Sequence, residues 1–142
     1  MKLEELITKE KNLSQEELLK LAMSSADIYY TFCLNNTDDT ENAKTLFFGS
    51  IATIIGIDFV VDEREYDFFL RLLQLEEITF DDFKNYVIRW TNVKTIKDTD
   101  YLIDHYANAV EKMAFVTIII AFSLIDGKLD QNEKKLIANY LA

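Results

Sequence analysis

Two short acidic segments contain the residues of this sequence whose types and spacing could do chemistry. Three acids recur in each segment at the same spacing, and the six are Asp58, Asp62, Glu65, Asp126, Asp130 and Glu133. Each acid of the first segment stands 68 residues before its counterpart in the second. Carboxylate oxygens are the ligands that hard divalent cations prefer. The six acids are therefore the candidate metal ligands, for Ca²⁺, Mg²⁺, Mn²⁺ or Zn²⁺.

Helix capping explains part of the same pattern without any ligand. Asp62 and Asp130 would begin a helix as N-caps, and Glu65 and Glu133, three residues later, would complete a capping box. In a capping box the two side chains each accept a hydrogen bond from an otherwise unpaired backbone amide. Capping and metal binding therefore both remain open for these four residues.

Asp58 and Asp126 need a different explanation, because each follows a long apolar run. That position is the C-terminal end of a predicted helix, where the helix dipole disfavours a carboxylate. Backbone amides of the following turn, a lysine or arginine from elsewhere, or a bound cation could offset this cost. These two residues carry most of the argument for a cation.

The elements around the acidic segments repeat as well. Residues 46–57 and 114–125 are both apolar runs of 12 residues. Four further apolar pairs also stand 68 residues apart, and they are Phe47 with Phe115, Ile51 with Ile119, Phe69 with Ile137, and Leu73 with Leu141. Each half, about 44–73 and 113–142, reads as an apolar helix, an acidic turn and an amphipathic helix. The spacing predicts two helical hairpins that pack against each other.

Length and composition indicate one all-α domain over residues 1–142. The 142 residues are 49% hydrophobic, with no proline and three glycines. Such a chain is long enough for one core and lacks the residues that punctuate hairpins between strands. We expect a single-domain bundle of six to eight helices with an internal pseudo-two-fold repeat.

Local signals place several other helices. Ser14 with Glu17, and less clearly Thr79 with Asp82, have the spacing of capping boxes. Residues 3–12 read as a short amphipathic helix that could fray, and residues 106–125 as one long apolar helix. On the segment 80–90 the large apolar residues lie on one face at helical spacing, and they are Phe80, Phe83, Val87 and Trp90. We interpret that face as core, because no basic residues are interleaved to hold the phosphates of a stacked nucleic acid.

The excess of acidic residues indicates which kinds of partner the protein can attract. With 15 basic and 25 acidic residues the formal charge is −10, which repels nucleic acids and anionic lipid surfaces and attracts cations or basic proteins. The apolar runs are shorter than the roughly 20 residues that span a bilayer. A lone Cys33 and a start without an apolar signal segment favour the reducing cytoplasm. We expect a cytoplasmic protein with a protein partner, no nucleic acid and no membrane span.

The turn Asp126–Glu133 also looks like the second half of an EF-hand calcium loop. The positions where that loop needs its first two oxygen ligands hold Phe122 and Leu124. We therefore do not expect an EF-hand.

The segment LIDGKLDQNEKKLI resembles the acidic turn of the tellurite-resistance TerB-like family. The residues that carry the resemblance are Asp126, Gly127, Leu129, Asp130 and Glu133. The first copy matches at its acids and at Val61 but has Phe59 where the family has glycine. The resemblance implies a pseudo-symmetric helical bundle and an acidic cluster for a divalent metal. It also implies a link to tellurite and other chemical stress, through partner proteins of which some are at the membrane.

Three functions follow, and the sequence favours the first. A non-catalytic binding or scaffold module would hold a cation or a basic partner at the acidic turns. Alternatively, an immunity or antitoxin-like protein would neutralise a basic toxin through its acidic surface. A metal-assisted enzyme is the third, but His105 is the single histidine and has no nucleophile signature near it. We expect no catalysis and assign no catalytic residue.

Overall fold

The chain folds into an all-α bundle in the computed structural model, which describes residues 3–55, 63–73, 78–90, 101–125, 134, 135, 137 and 138. Its helices are α1 (Leu3–Lys11), α2 (Gln15–Asn35), α3 (Thr40–Ile55), α4 (Glu63–Leu73), α5 (Phe80–Trp90), α6 (101–106) and α7 (Ala109–Ile125). The residues described between 134 and 138 are helical too. No strand occurs in these ranges, so the predicted all-α class is confirmed.

Helix α7 is the central element. Ala114–Ser123 are all buried, and α1, α2, α3 and α4 all pack against α7. A helix that is apolar on every side is stable in water only when other helices cover it. The prediction that residues 114–125 form a core helix is therefore confirmed. Within the described ranges, no helix is both long enough and apolar enough to cross a bilayer.

The start of α7 differs from the prediction. The long helix was expected to begin near Tyr106, but residues 107 and 108 separate α6 from α7. The Asn108 side chain accepts from the Glu111 amide at 2.8 Å, and the Glu111 side chain accepts from the Asn108 amide at 2.9 Å. This reciprocal capping box ends one helix and begins the next.

The predicted capping box of α2 is confirmed. The Ser14 hydroxyl accepts from the Glu17 amide at 3.1 Å, and the Glu17 carboxylate accepts from the Ser14 amide at 3.0 Å. Before α5, the Thr79 hydroxyl accepts from the Asp82 amide, which confirms half of the looser box. Asp39 caps α3 by accepting from the Asn42 amide at 2.8 Å.

Aromatic rings from several helices fill the core. The Tyr29 ring on α2 lies between those of Phe47 on α3 and Phe115 on α7, with centroids 5.8 and 4.7 Å away. The Phe69 ring on α4 lies 5.0 Å from that of Phe83 on α5. Such contacts add to the free energy gained when the rings leave water.

Tertiary packing decides the exposure of α1 and of one residue on α2. The sequence left open whether helix α1 frays, and the structure shows it docked on the bundle, because Leu6, Ile7 and Glu10 are buried. On α2, Ile28 has helical spacing with the buried Ser25 and Phe32, yet it is 40% exposed. The buried face of α2 instead includes Leu19, Ala26 and Cys33.

The apolar face of α5 was predicted to belong to the core, and two of its residues confirm this. Phe83 and Val87 are buried, and Phe80 is half-buried. The Lys84 ammonium lies 5.0 Å from the centre of the Phe80 ring. Helix α5 packs on α3 and α4, so this face is covered by protein.

The predicted internal repeat remains a prediction. Three matched pairs are buried alike, and they are Phe47 with Phe115, Ile51 with Ile119, and Phe69 with Ile137. Equivalent burial is expected if two helical hairpins share one core, but buried apolar residues also occur without duplication. The turns that would distinguish these explanations lie outside the described residues.

Candidate functional site

The acidic turns are placed only through the helices beside them. Asp58, Asp62, Asp126, Asp130 and Glu133 lie outside the described residues. Glu65 lies in the first turn of α4, which begins at Glu63. The predicted capping roles of Asp62 and Asp130, and the metal-ligand roles of all six acids, therefore stay predictions.

The helices that adjoin the two turns meet at one cleft. Helix α4 begins one residue after Asp62, and α7 ends at Ile125, one residue before Asp126. Arg64 and Ile125 line the same cleft of about 440 Å³. The Phe68 and Phe122 rings pack edge to face beside it, with centroids 5.0 Å apart. The fold thus brings the start of α4 to the end of α7.

Charged side chains from α2 and α4 border this cleft. Its other lining residues include Gln15, Asp67 and Arg71. The Arg71 guanidinium donates to the exposed Glu16 carboxylate, which joins α4 to the first turn of α2. Because both side chains are exposed, this ion pair adds little to stability. Its clearer effect is to hold a cationic side chain at the rim of the cleft.

Arg64 and Arg71 are relevant to the predicted cost of placing Asp58 and Asp126 at helix C-termini. An arginine from elsewhere was one of the three groups that could offset these carboxylates. Arg64 and Arg71 line the same cleft as Ile125, the last residue of α7. An arginine partner for these carboxylates, like a bound cation, stays a prediction.

A metal site elsewhere in the described part of the chain would need a group of histidine, cysteine or acidic side chains. There, no group of three or more histidine, cysteine, aspartate or glutamate side chains is placed to hold a metal ion. The predicted ligands of the acidic turns fall mostly outside that part of the chain.

The two residues most often used as nucleophile and base lie apart from this cleft. Cys33 is fully buried, and burial raises the pKa of its thiol to about 12. A thiol of that kind stays protonated and does not act as a nucleophile at neutral pH. His105 is exposed, its ring stacks on that of Tyr101 at 4.1 Å, and its Nδ1 lies 2.9 Å from the Tyr101 carbonyl oxygen.

One functional candidate was missed in the sequence. Glu10 on α1 is 1% exposed, and neither of its carboxylate oxygens has a hydrogen-bond partner among the described residues. Burial raises the pKa of this carboxyl to about 8. The signal was its spacing, since Glu10 follows Leu6 by four residues and Ile7 by three, on the apolar face of the helix.

No family model, curated protein or solved structure matches the chain. The similarity of residues 124–137 to the TerB-like turn therefore depends on those residues alone.

Proposed function

We propose that the protein is a non-catalytic, TerB-like binding module whose acidic turns hold a divalent cation or a basic segment of a partner protein. The observation that carries the proposal is the shared cleft, where Arg64 and Ile125 stand beside the two acidic segments. Carboxylates contributed by both turns to one region would create the concentrated negative potential that cations seek. A role in tellurite or other chemical stress, through cytoplasmic or membrane-associated partners, is part of the same proposal.

Charge and chemistry support binding over catalysis. The chain carries a formal charge of −10, and a field of that sign raises the local concentration of cations and basic surfaces. The one cysteine is a buried thiol with a raised pKa, and the one histidine is held against its own helix. Neither is arranged as an activated nucleophile or as its base.

Calorimetry on the full chain tests the cation. Ca²⁺, Mg²⁺, Mn²⁺ and Zn²⁺ are each titrated into the unmodified protein and into the double variant Asp58→Asn with Asp126→Asn. We expect binding of at least one metal, and its loss in the double variant. A matched control, Asp38→Asn with Asp104→Asn, removes the same charge from two exposed positions and should bind normally. Absence of binding for all four metals in the unmodified chain would contradict the cation proposal.

The partner is tested separately. The full chain and the same double variant serve as bait in extracts of the native host, and basic proteins lost only with the double variant support the partner proposal. Equal recovery with both baits would show that the acidic turns do not recruit the partner.

An acidic immunity-like protein is the second candidate, and the net charge favours it. Such a protein would bind one basic toxin tightly and neutralise its activity. An activity assay of the captured partner separates this candidate from the scaffold, because the purified chain would suppress the activity of a bound toxin. A partner whose activity is unchanged on binding would argue for the scaffold instead.

A further inference from the structure

A second cavity is an open groove that shares none of its described lining residues with the cleft of Arg64 and Ile125. It lies between α1, α2 and the first turns of α7 and has a volume of about 430 Å³, within the usual range for small-molecule sites. Most of its lining is apolar, and these residues are Leu6, Leu21, Ile28, Ala109, Val110, Met113 and Ala114. Ile28 and Val110 are 40% and 63% exposed, which leaves two large apolar side chains at the rim uncovered.

Glu10 is the one acidic residue in the described lining of this groove. Its carboxyl is buried among apolar residues, and neither oxygen receives a hydrogen bond from the described residues. Buried polar groups in proteins are nearly always paired, because an unpaired one keeps the full cost of leaving water. A leucine at this position would pack without that cost, so the packing of α1 does not explain the acid.

Glu10 also belongs to the neighbouring cleft, which α1 shares with the end of α7. That cleft is lined by Glu10 and Lys11 together with Leu13, Leu124 and others. Glu10 thus lines both cavities. Its carboxylate oxygens are buried, so a ligand in the larger groove reaches them only after the side chain changes rotamer.

Few charges compete with Glu10. Lys9 lines the larger groove and Lys11 lines the neighbouring cleft, both from α1. Helices α2 and α7 contribute no charged residue to the described lining of either cavity. Ser25 adds a hydroxyl to the groove, and the Thr117 hydroxyl donates to the Met113 carbonyl at 2.8 Å.

We propose that this groove binds a small apolar molecule that carries one ammonium group, with the ammonium against Glu10 and the alkyl part against Leu21, Ile28 and Val110. An ammonium supplies the hydrogen-bond donors that the carboxylate lacks and adds a positive charge to that of Lys9. The apolar walls supply the rest of the affinity as they leave water with the alkyl chain. Lys9 at the rim disfavours a ligand with a second positive charge.

Binding of an ammonium is coupled to loss of a proton. The unliganded Glu10 carboxyl is protonated at neutral pH, since burial raises its pKa to about 8. When the ammonium binds, the carboxyl releases that proton to solvent and becomes the carboxylate of an ion pair. Affinity should therefore rise about tenfold per pH unit up to about pH 8 and then level off, until the free amine itself loses its proton near pH 10.

Hexylammonium is the probe, and hexan-1-ol and hexanoate are the matched neutral and anionic compounds. Each is titrated into the full chain by NMR and calorimetry at pH 6, 7, 8 and 9, in buffers of different ionisation enthalpy that report released protons. The variants are Glu10→Gln, which keeps the shape of the side chain, and Val110→Trp, which fills the groove from its exposed rim. Glu5→Gln, at an exposed position on the same helix, is the control.

We expect hexylammonium to bind at least tenfold more tightly than hexan-1-ol at pH 8, with release of one proton below pH 7. Glu10→Gln should lose that preference, Val110→Trp should lose binding of both compounds, and Glu5→Gln should behave like the unmodified protein. Equal affinity for hexan-1-ol, tighter binding of hexanoate, or an undiminished preference for the amine in Glu10→Gln would overturn the proposal. Self-association through this groove, seen as a dimer that Val110→Trp abolishes, would also overturn it. The variants in this experiment leave Asp58 and Asp126 unchanged, so its failure is distinguishable from failure of the cation proposal.

Discussion

The hydroxyl oxygens of Tyr29 and Ser50 lie 2.7 Å apart inside the core, and their hydrogen bond joins α2 to α3. The Ser50 hydroxyl donates to the Leu46 carbonyl at 2.5 Å, so Tyr29 is the donor in the pair and Ser50 the acceptor. The bond gives the hydroxyl of a buried tyrosine a partner inside the core. It also fixes the position of Tyr29 between Phe47 and Phe115.

Tyr29→Phe should lower the free energy of unfolding by about 1 kcal/mol, the usual contribution of one buried hydrogen bond. The loss stays modest because Ser50 keeps its bond to the Leu46 carbonyl. Urea denaturation followed by circular dichroism measures it. Tyr30→Phe, at a half-buried ring on the same helix, is the control, and an equal loss in both variants would mean that the Ser50 bond contributes nothing specific.

Glu10 should make stability depend on pH. The folded-state pKa of about 8 lies above the ordinary value of 4.5, so the folded protein holds the proton more tightly than the unfolded chain. Its contribution is complete below pH 4.5 and is lost as the pH rises through 8. The total is on the order of 5 kcal/mol, because the pKa rises from 4.5 to about 8.

The test compares the unmodified chain with Glu10→Gln by urea unfolding at pH 5, 7 and 9. Glutamine does not titrate, so the variant should lose less stability between pH 5 and pH 9 than the unmodified protein. Glu5→Gln is the control for a general change in charge. Parallel pH profiles for all three proteins would show that Glu10 is not protonated in the folded state.

Ser14→Ala should destabilise the protein by about 1 kcal/mol, because the Glu17 amide loses the acceptor that begins α2. The hydrogen bonds from Ser14 lower the pKa of the Glu17 carboxyl. That part of the stability is present above pH 4.5 and is lost as the pH falls through the lowered pKa. Thermal unfolding at pH 7 and pH 3 measures both effects. Ser24→Ala, at an exposed position within α2, should change neither.

Phe122→Ala should cost about 3 to 5 kcal/mol, the range for deleting a buried aromatic ring. The ring is fully buried and packs against Phe68 at 5.0 Å, so its removal leaves a cavity between α4 and α7. Phe122→Leu should cost clearly less, because it fills part of the same space. Denaturation of the two variants under one set of conditions gives the difference, and equal costs would mean that the α4–α7 contact is not closely packed.

Cys33 should react with thiol reagents only when the protein opens. Its side chain is buried and burial raises the pKa of the thiol to about 12, so thiolate is scarce at pH 8. We expect labelling with iodoacetamide to be slow in buffer and fast in denaturant. Ser24→Cys in a Cys33→Ala background places a thiol on the exposed side of the same helix and should react at once. Equally fast labelling of Cys33 in buffer would contradict the buried position.

Residues close together in sequence determined the local structure of this protein. The capping box of α2 and the buried α7 were both predicted, because hydrogen bonds between residues three or four apart and runs of apolar side chains follow from the order of residues. The composition also fixed the all-α class. The six acids at repeated spacing were found in the same way, although their metal-binding role stays a prediction.

Long-range packing decided the rest. Whether α1 frays or docks, whether Ile28 faces the core or a groove, and whether Arg64 and Ile125 meet at one cleft all depend on how helices far apart in sequence lie against each other. The same is true of Glu10. Its spacing places it on the apolar face of α1, but only packing against other helices buries it. Burial depends on which surfaces several helices cover together, and no spacing within one helix specifies that.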